Sequence, residues 1–253
     1  MELARTTAVV TGAASGLGAA TAAALAARGA TVHGFDLPSA VDAAPAPPAG
    51  VEYVGVDVTD PGAVRAAVAR AAGGADPLRT VVNCAGIAPS QRILGRRGVH
   101  DLDLYARVLQ VNLVGTFTVM TLAAERIAET EPDRHGQRGV IVNTASVAAY
   151  EGQVGQAAYA SSKGGVVALT LPAARDLAPH GIRLMTIAPG IMLTPMMQTV
   201  SEEYRAGLAA GVPFPSRFGD TGEYADLVLS IVGNDYLNGE VIRLDGALRM
   251  PPR

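Results

Sequence analysis

Residues 8–28 read Ala8-Val9-Val10-Thr11-Gly12-Ala13-Ala14-Ser15-Gly16-Leu17-Gly18-Ala19-Ala20-Thr21-Ala22-Ala23-Ala24-Leu25-Ala26-Ala27-Arg28. A short apolar run gives way to three glycines and then to a helical pattern dominated by alanine. The spacing predicts a strand over Ala8–Thr11, a tight turn at Gly12 and a helix over Gly16–Arg28. A helix N-terminus offers free N–H groups and a partial positive charge. Gly12 lets the chain turn, while Gly16 and Gly18 admit close backbone approach, so Gly12–Gly18, with Ser15 and Leu17 between, is a candidate pyrophosphate cradle. The pattern is G-x-x-x-G-x-G rather than G-x-G-x-x-G, and an ordinary strand-to-helix turn is the competing reading.

Outward from this turn the pattern alternates. Strands are expected near Ala8–Thr11, Thr31–Asp36, Val51–Val56, Thr80–Asn83, Val140–Thr144, Arg183–Ala188 and Glu240–Leu244. Helical patterns cover Gly16–Arg28, Pro61–Ala72, Leu102–Thr130, Ala158–Ala178 and Thr221–Val232. Such alternation calls for right-handed crossovers and a parallel sheet covered on both faces. The expected fold is α/β, one doubly wound Rossmann-like domain spanning residues 1–253. Leu37–Gly50, rich in alanine and proline, reads as a surface loop.

Composition narrows the function classes. The 253 residues are 49% hydrophobic and 17% charged, which gives one sizeable core and excludes a disordered chain. The net charge of -3 argues against a nucleic-acid binder. A single cysteine, Cys84, excludes an internal disulfide, and His33, His100, His135 and His180 fall in no metal-ligand spacing, so no metal is expected. The uncharged stretch Thr6–Ala27 is interrupted by glycines and hydroxyl residues, and Pro189 and Pro195 break Leu184–Ser201. A soluble, cytoplasmic protein without membrane attachment is the expectation. One count is more pointed: the chain has nineteen arginines and one lysine, Lys163. Arginine is planar, bulkier and never deprotonates, so a lone lysine is either an accident of composition or the mark of a site where a guanidinium cannot serve.

Asp36 ends the second strand, 18 residues after Gly18. A carboxylate there receives the adenosine ribose hydroxyls of a dinucleotide and repels an added 2′-phosphate, so NAD is the expected cofactor. Tyr159 and Lys163 are four apart and share a helix face, with Ser146 13 residues upstream at a strand's carboxyl end. Oxidising an alcohol needs a base for the hydroxyl proton. A tyrosine near pKa 10 can supply it if a lysine cation and a positive ring favour tyrosinate and lower that value, while Ser146 binds the substrate oxygen.

These residues resemble the classical short-chain dehydrogenase/reductase family. The likeness runs from about Thr7 to the C-terminus and includes Thr11-Gly12-x-x-x-Gly16-x-Gly18, Asn83-Cys84-Ala85-Gly86, Asn112, Ser146, Tyr159-x-x-x-Lys163 and Pro189-Gly190. The family usually has Asn-Asn-Ala-Gly where this chain has Cys84. The resemblance implies Tyr159 as catalytic acid/base and Ser146 as the residue orienting the substrate. It implies that Lys163 holds the nicotinamide ribose and lowers the tyrosine pKa, and that Asn112 positions a relay water. It places Asp57 and Val58 at the adenine, Asn83, Cys84, Ala85 and Gly86 along the adenosine half, and Pro189, Gly190, Met192 and Thr194 at the nicotinamide and diphosphate.

A narrower likeness in residues 143–156, 212–217 and 237–247 implies a homotetrameric branch that oxidises 3-hydroxyacyl-CoA esters. Steroid or secondary-alcohol oxidation is an alternative, and so is a 3-oxoacyl reductase, which Asp36 disfavours. A non-catalytic scaffold or RNA-processing role is the alternative of another class, disfavoured by the intact Ser–Tyr–Lys set and the negative charge. Gln153 and Gln156 are candidate pocket residues, with loop packing as the rival reading. The long loop Ile87–Asp101 carries Arg92, Arg96 and Arg97, and Arg96 and Arg97 are candidate ligands for CoA phosphates.

Overall fold

The computed structural model describes residues 1–96, 98–194 and 202–252. Seven parallel strands form one sheet: β1 (Thr7–Thr11), β2 (Thr31–Asp36), β3 (Val51–Gly55), β4 (Leu78–Asn83), β7 (Gly139–Thr144), β8 (Ile182–Pro189) and β9 (Val241–Leu244). Their order is β3-β2-β1-β4-β7-β8-β9. From β1 the chain first winds outward to β3 and then restarts on the other side at β4. That reversal opens a crevice beyond the carboxyl ends of β1 and β4, where Thr11 pairs with both Phe35 and Asn83.

Successive side chains of a strand point to opposite faces, and the sheet uses both. Val9, Val81 and Ile141 enter a core with Phe35, Val68, Ile127 and Leu184. Their neighbours Val10, Val82 and Val142 enter a second core with Leu25, Val228 and Ile231. Every residue of β7 and β8 is buried, which is why these strands read as largely apolar runs, broken only by Asn143, Thr144, Arg183 and Thr186.

Helix α1 (Gly16–Ala27) packs on the second face with the last helix, Thr221–Gly233. Helices α3 (Pro61–Ala72) and α5 (Thr116–Ala128), together with α6 (Ala157–Leu177), cover the first. Buried Arg183 on β8 donates to the carbonyls of Ile231, Val232 and Leu237, closing the end of the last helix with a cation.

Three expectations change. The helix expected over Leu102–Thr130 forms as one continuous run, Leu102–Ala128, made of α4 (Leu102–Leu109), an unexpected π turn at Gln110–Gly115 and α5. The run Leu102–Ala128 is long and apolar enough by composition to cross a membrane, with half of its most apolar window buried inside the protein. The Leu37–Gly50 segment holds a short helix, α2 (Pro38–Ala43), in which Pro38 takes the first turn. The Ile87–Asp101 loop folds into a hairpin of β5 (Leu94–Gly95) and β6 (Gly98–Val99). A helix at Glu202–Ala210 was also not foreseen.

Gly18 lets α1 pack on the turn below it. A Cβ there would collide with the Gly12 carbonyl oxygen, a backbone atom that cannot swing aside. Gly18→Ala should therefore cost about 1–3 kcal/mol through overpacking, read as a lower urea midpoint at unchanged slope. An unchanged midpoint would show that α1 can lift off the turn freely.

Candidate active site

The crevice is a cavity of about 850 Å³, within the roughly 300–1,000 Å³ of ordinary ligand sites. Its floor is the glycine turn. Gly12 has φ +66, and a Cβ on it would lie 2.9 Å from the Ala85 nitrogen, so turn and β4 end touch backbone to backbone. Thr11 Oγ1 fixes the second segment by accepting from the N–H groups of Cys84 (3.1 Å) and Ala85 (3.0 Å). Ser15 precedes α1 without a capping bond from its side chain. The first N–H groups of α1 therefore face the cavity that Ser15, Gly16, Leu17 and Gly18 line.

Asp36 stands at the far end. Its Oδ2 accepts from the Ala14 N–H (2.9 Å) and its Oδ1 from the Leu37 N–H (2.8 Å), which orients the carboxylate. Each oxygen keeps a lone pair for a further donor. Asp57, Val58 and Thr59 line the adjoining wall, and Asp57 is braced by both polar groups of Thr59. Ala85, Gly86 and Thr194 line the opposite side, as does Cys84.

Lys163, 4% exposed, sits where α6 crosses the end of β7. Its Nζ donates to the Thr144 carbonyl oxygen at 2.7 Å and lies 5.9 Å from the centroid of the Tyr159 ring. Burial pulls its pKa down from 10.5 to about 8, partly opposed by the nearby Cys84 thiol. Tyr159 is also enclosed, and burial pushes its hydroxyl up from 10, while a hydrogen bond with Ser146 draws it back. The lowering expected from the sequence rests on the lysine cation together with a positive nicotinamide ring. In the protein alone desolvation wins, and lowering requires added positive charge beside the hydroxyl. Ser146 Oγ accepts from the Ala148 N–H (3.1 Å), and its own proton, which serves the Tyr159 oxygen here, is the one it can offer a ligand oxygen.

Asn112 lies within the π turn and is fully buried. Its Oδ1 accepts from the Ile87 N–H (2.8 Å), and its Nδ2 donates to the Ile87 carbonyl (2.9 Å) and to Ser162 Oγ (3.0 Å). Ser162 donates to the Tyr159 carbonyl at 2.7 Å. Asn112 thus ties the segment after β4 to the helix carrying Tyr159 and Lys163. Its carbonyl accepts from Thr116 Oγ1, so a relay water would share that oxygen.

Other candidates lie away from the cavity wall. Asn83 is buried below it and donates to Asn143 Oδ1 at 2.9 Å. Met192 is buried beneath Gly219, and Gly190 packs on Asp245 at the end of β8. Pro189 is the last residue of that strand. Gln153 Nε2 donates to the Pro251 carbonyl, and Gln156 Oε1 accepts from the Gln153 N–H, so both glutamines brace their own loop. Arg96 is exposed at the hairpin turn. Arg97 lies outside the described residues. Thr11, Thr144 and Ser162 complete the site. Thr11 belongs to the glycine motif already read from the sequence, whereas Thr144 and Ser162 carry no such signal because they act on or through backbone oxygens.

The set fits a nicotinamide dinucleotide. Helix N–H groups face the middle of the cavity, an oriented carboxylate stands at one end, and a lysine and tyrosine lie toward the other. Among the described residues no cluster of metal-binding side chains occurs.

Shedding the Lys163 proton costs less in the fold than in the unfolded chain, where its pKa is near 10.5. Below pH 8 both states carry the proton; between pH 8 and 10.5 only the unfolded chain does, so stability rises with pH. Against Lys163→Met, the parent should gain up to about 3 kcal/mol across that window, measured by denaturant unfolding at each pH. A difference independent of pH would mean the lysine is not desolvated.

Comparison with known proteins places these features. A family model described as short chain dehydrogenase matches residues 6–205. The chain is 53% identical over 249 residues to 3-hydroxyacyl-CoA dehydrogenase type-2 of Homo sapiens, covering 97% of this chain and 95% of that one. It is 51% identical to the protein of the same name from Drosophila melanogaster, covering 96% and 97%. The solved structure of 3-hydroxyacyl-CoA dehydrogenase type-2 from Mycobacterium avium superposes with a TM-score of 0.91 at 43% identity, covering 98% of this chain and 97% of that one.

Proposed function

The chain belongs to the short-chain dehydrogenase family, and from that premise we propose that it interconverts 3-hydroxyacyl-CoA and 3-oxoacyl-CoA with NAD as the hydride carrier. The observation that carries the reading is the buried Lys163 ammonium beside Tyr159, next to Gly86 on the wall of a cavity that Asp36 also lines. The names of relatives at 51–53% identity support the acyl-CoA substrate.

The nicotinamide ring, when bound, accepts or returns the hydride. The other steps fall to side chains. Ser146 donates a hydrogen bond to the substrate oxygen and fixes it beside Tyr159. As the C–H bond gives up its hydride, Tyr159 takes the alcohol proton at its own oxygen. Lys163 lowers the cost of the tyrosinate this requires, and its ammonium sits between the Gly86 backbone and the Thr144 carbonyl, a position a bulkier planar guanidinium fits less well. Asp36 accepts ribose hydroxyls and opposes a 2′-phosphate. Unit charges about 4 Å apart near a protein surface repel by about 4 kcal/mol.

The substrate's length also suits the hairpin. Arg92 sits on a lip next to residues 152–157 and Arg96 is exposed at the hairpin turn, so CoA phosphates can rest on this loop outside the cleft. Purified protein should reduce acetoacetyl-CoA with NADH far faster than with NADPH, and Asp36→Ala should narrow that gap. Tyr159→Phe should nearly abolish turnover with NADH binding retained. Arg96→Ala should raise KM for acetoacetyl-CoA about threefold while leaving a small secondary alcohol unaffected. No turnover of acetoacetyl-CoA, or equal use of both cofactors, defeats the reading.

The assembly proposed is a homotetramer. Between α5 and α6 runs an apolar groove of about 400 Å³ floored by Met120, Ala124 and Leu169. Phe117 and Leu171 are 48% and 46% exposed along α5 and α6. A second copy related by a two-fold axis covers such a self-complementary face. Light scattering at micromolar concentration should give four times the 25.8 kDa chain mass; a monomer would refute it.

A further inference from the structure

Between the turn after Ser146 and the start of α6, residues 150–156 form neither helix nor strand. This stretch joins the substrate-orienting serine to the catalytic tyrosine and faces the hairpin, whose Gln91 N–H donates to the Gly155 carbonyl at 2.9 Å. With no ladder of its own, its shape depends on what grips it.

Arg243 on β9 supplies the grip. Its Nη1 and Nη2 donate to Glu151 Oε1 and Oε2 at 2.9 and 3.2 Å, a two-pronged pair. Its Nε donates to Asp245 Oδ2 at 2.7 Å, and Nη2 also reaches the Leu248 carbonyl at 3.0 Å. The guanidinium carbon lies 5.4 Å from the centroid of the Tyr150 ring. The Glu151, Arg243 and Asp245 side chains are 21%, 23% and 7% exposed, so the cluster is largely withdrawn from water.

The C-terminal segment threads through the same cluster. The Met250 N–H donates to Glu151 Oε2 at 3.0 Å, and the Pro252 and Pro251 carbonyls accept from the Val154 N–H and from Gln153 Nε2 at 3.1 Å each. Asp245, the other acid on Arg243, accepts from the Ala247 N–H at 3.0 Å. Ala247 has φ +66, a strained conformation for a residue with a Cβ, which the surrounding bonds hold in place. Asp245 also forms the surface on which Gly190 packs. Three strands of chain thus meet at one guanidinium.

We propose that Arg243 and Glu151 are positioning residues that latch residues 248–252 onto residues 150–156 and so set the wall against which the substrate binds. They touch neither substrate nor cofactor. Ser146 is fixed by its own turn and Tyr159 by α6, so loosening the latch affects substrate binding and spares the chemical step.

The test compares the full chain with Glu151→Gln, Arg243→Lys and Met250→Pro. Hydrogen exchange should quicken about fivefold or more at residues 150–156 in the first two and stay unchanged at residues 31–36. With acetoacetyl-CoA and NADH, KM should rise about fivefold, with kcat and NADH affinity within about twofold of the parent. Met250→Pro, which deletes one N–H and no charge, should shift exchange and KM the same way by less, and decides the matter if Arg243→Lys does not fold. Unchanged exchange overturns the proposal. So does faster exchange with an unchanged KM, or a loss of kcat and NADH binding alongside KM. If the parent does not turn over acetoacetyl-CoA, the proposed function falls, and the exchange result alone decides the latch.

Discussion

A lysine ammonium held out of water governs the arrangement of this protein's working end. Withdrawing an ammonium from solvent costs several kcal/mol unless polar groups replace its hydration. Here the Thr144 carbonyl takes one N–H, and Cys84 and the Tyr159 ring lie nearby. For these groups to converge, β4 and β7 must end level, α6 must cross directly over them, and no side chain can stand at residue 86. The π turn follows from the same demand. It brings Asn112 against Ile87 and Ser162, closing the gap between the end of β4 and the lysine's helix.

The cation is also why the site reads so clearly from sequence. A chain that uses arginine at nineteen positions and lysine at one has set apart the position where a fork does not fit. The central strands were legible for a different reason. Each is buried on two faces, so neighbours such as Val81 and Val82 are both apolar yet enter different cores. What stayed hidden has physical causes too. A π turn shifts a hydrogen bond by one residue without changing the side-chain pattern, so Leu102–Ala128 reads as one helix. Pro38 ends a strand signal equally well as a loop residue or as the first residue of a helix. The hairpin has strands of two residues, too short for any period to register. Thr144 contributes a backbone carbonyl, and a carbonyl carries no residue identity.

Below the cavity the sheet ends in a buried polar layer. Asn83 and Asn143 pair across β4 and β7, and Thr144 Oγ1 bonds the Tyr224 hydroxyl at 2.7 Å and the Cys84 thiol at 3.6 Å. Burial raises Cys84 above its ordinary pKa, and the Thr144 and Tyr224 bonds only partly offset that. A thiol held neutral in this way is a poor nucleophile, and Cys84 acts as a small filler beside the cofactor wall.

Tyr224 belongs to the last helix, on the sheet face opposite α6. It reaches Thr144 from below the residue whose carbonyl holds Lys163 from above. The end of β7 is therefore gripped from both faces at a single residue. Ile141 and Val142, just before it, belong to different cores. Close-packed cores transmit volume changes instead of absorbing them. β7 therefore couples both cores to the Asn83–Asn143 pair and to the Thr144 carbonyl that accepts from the Lys163 ammonium.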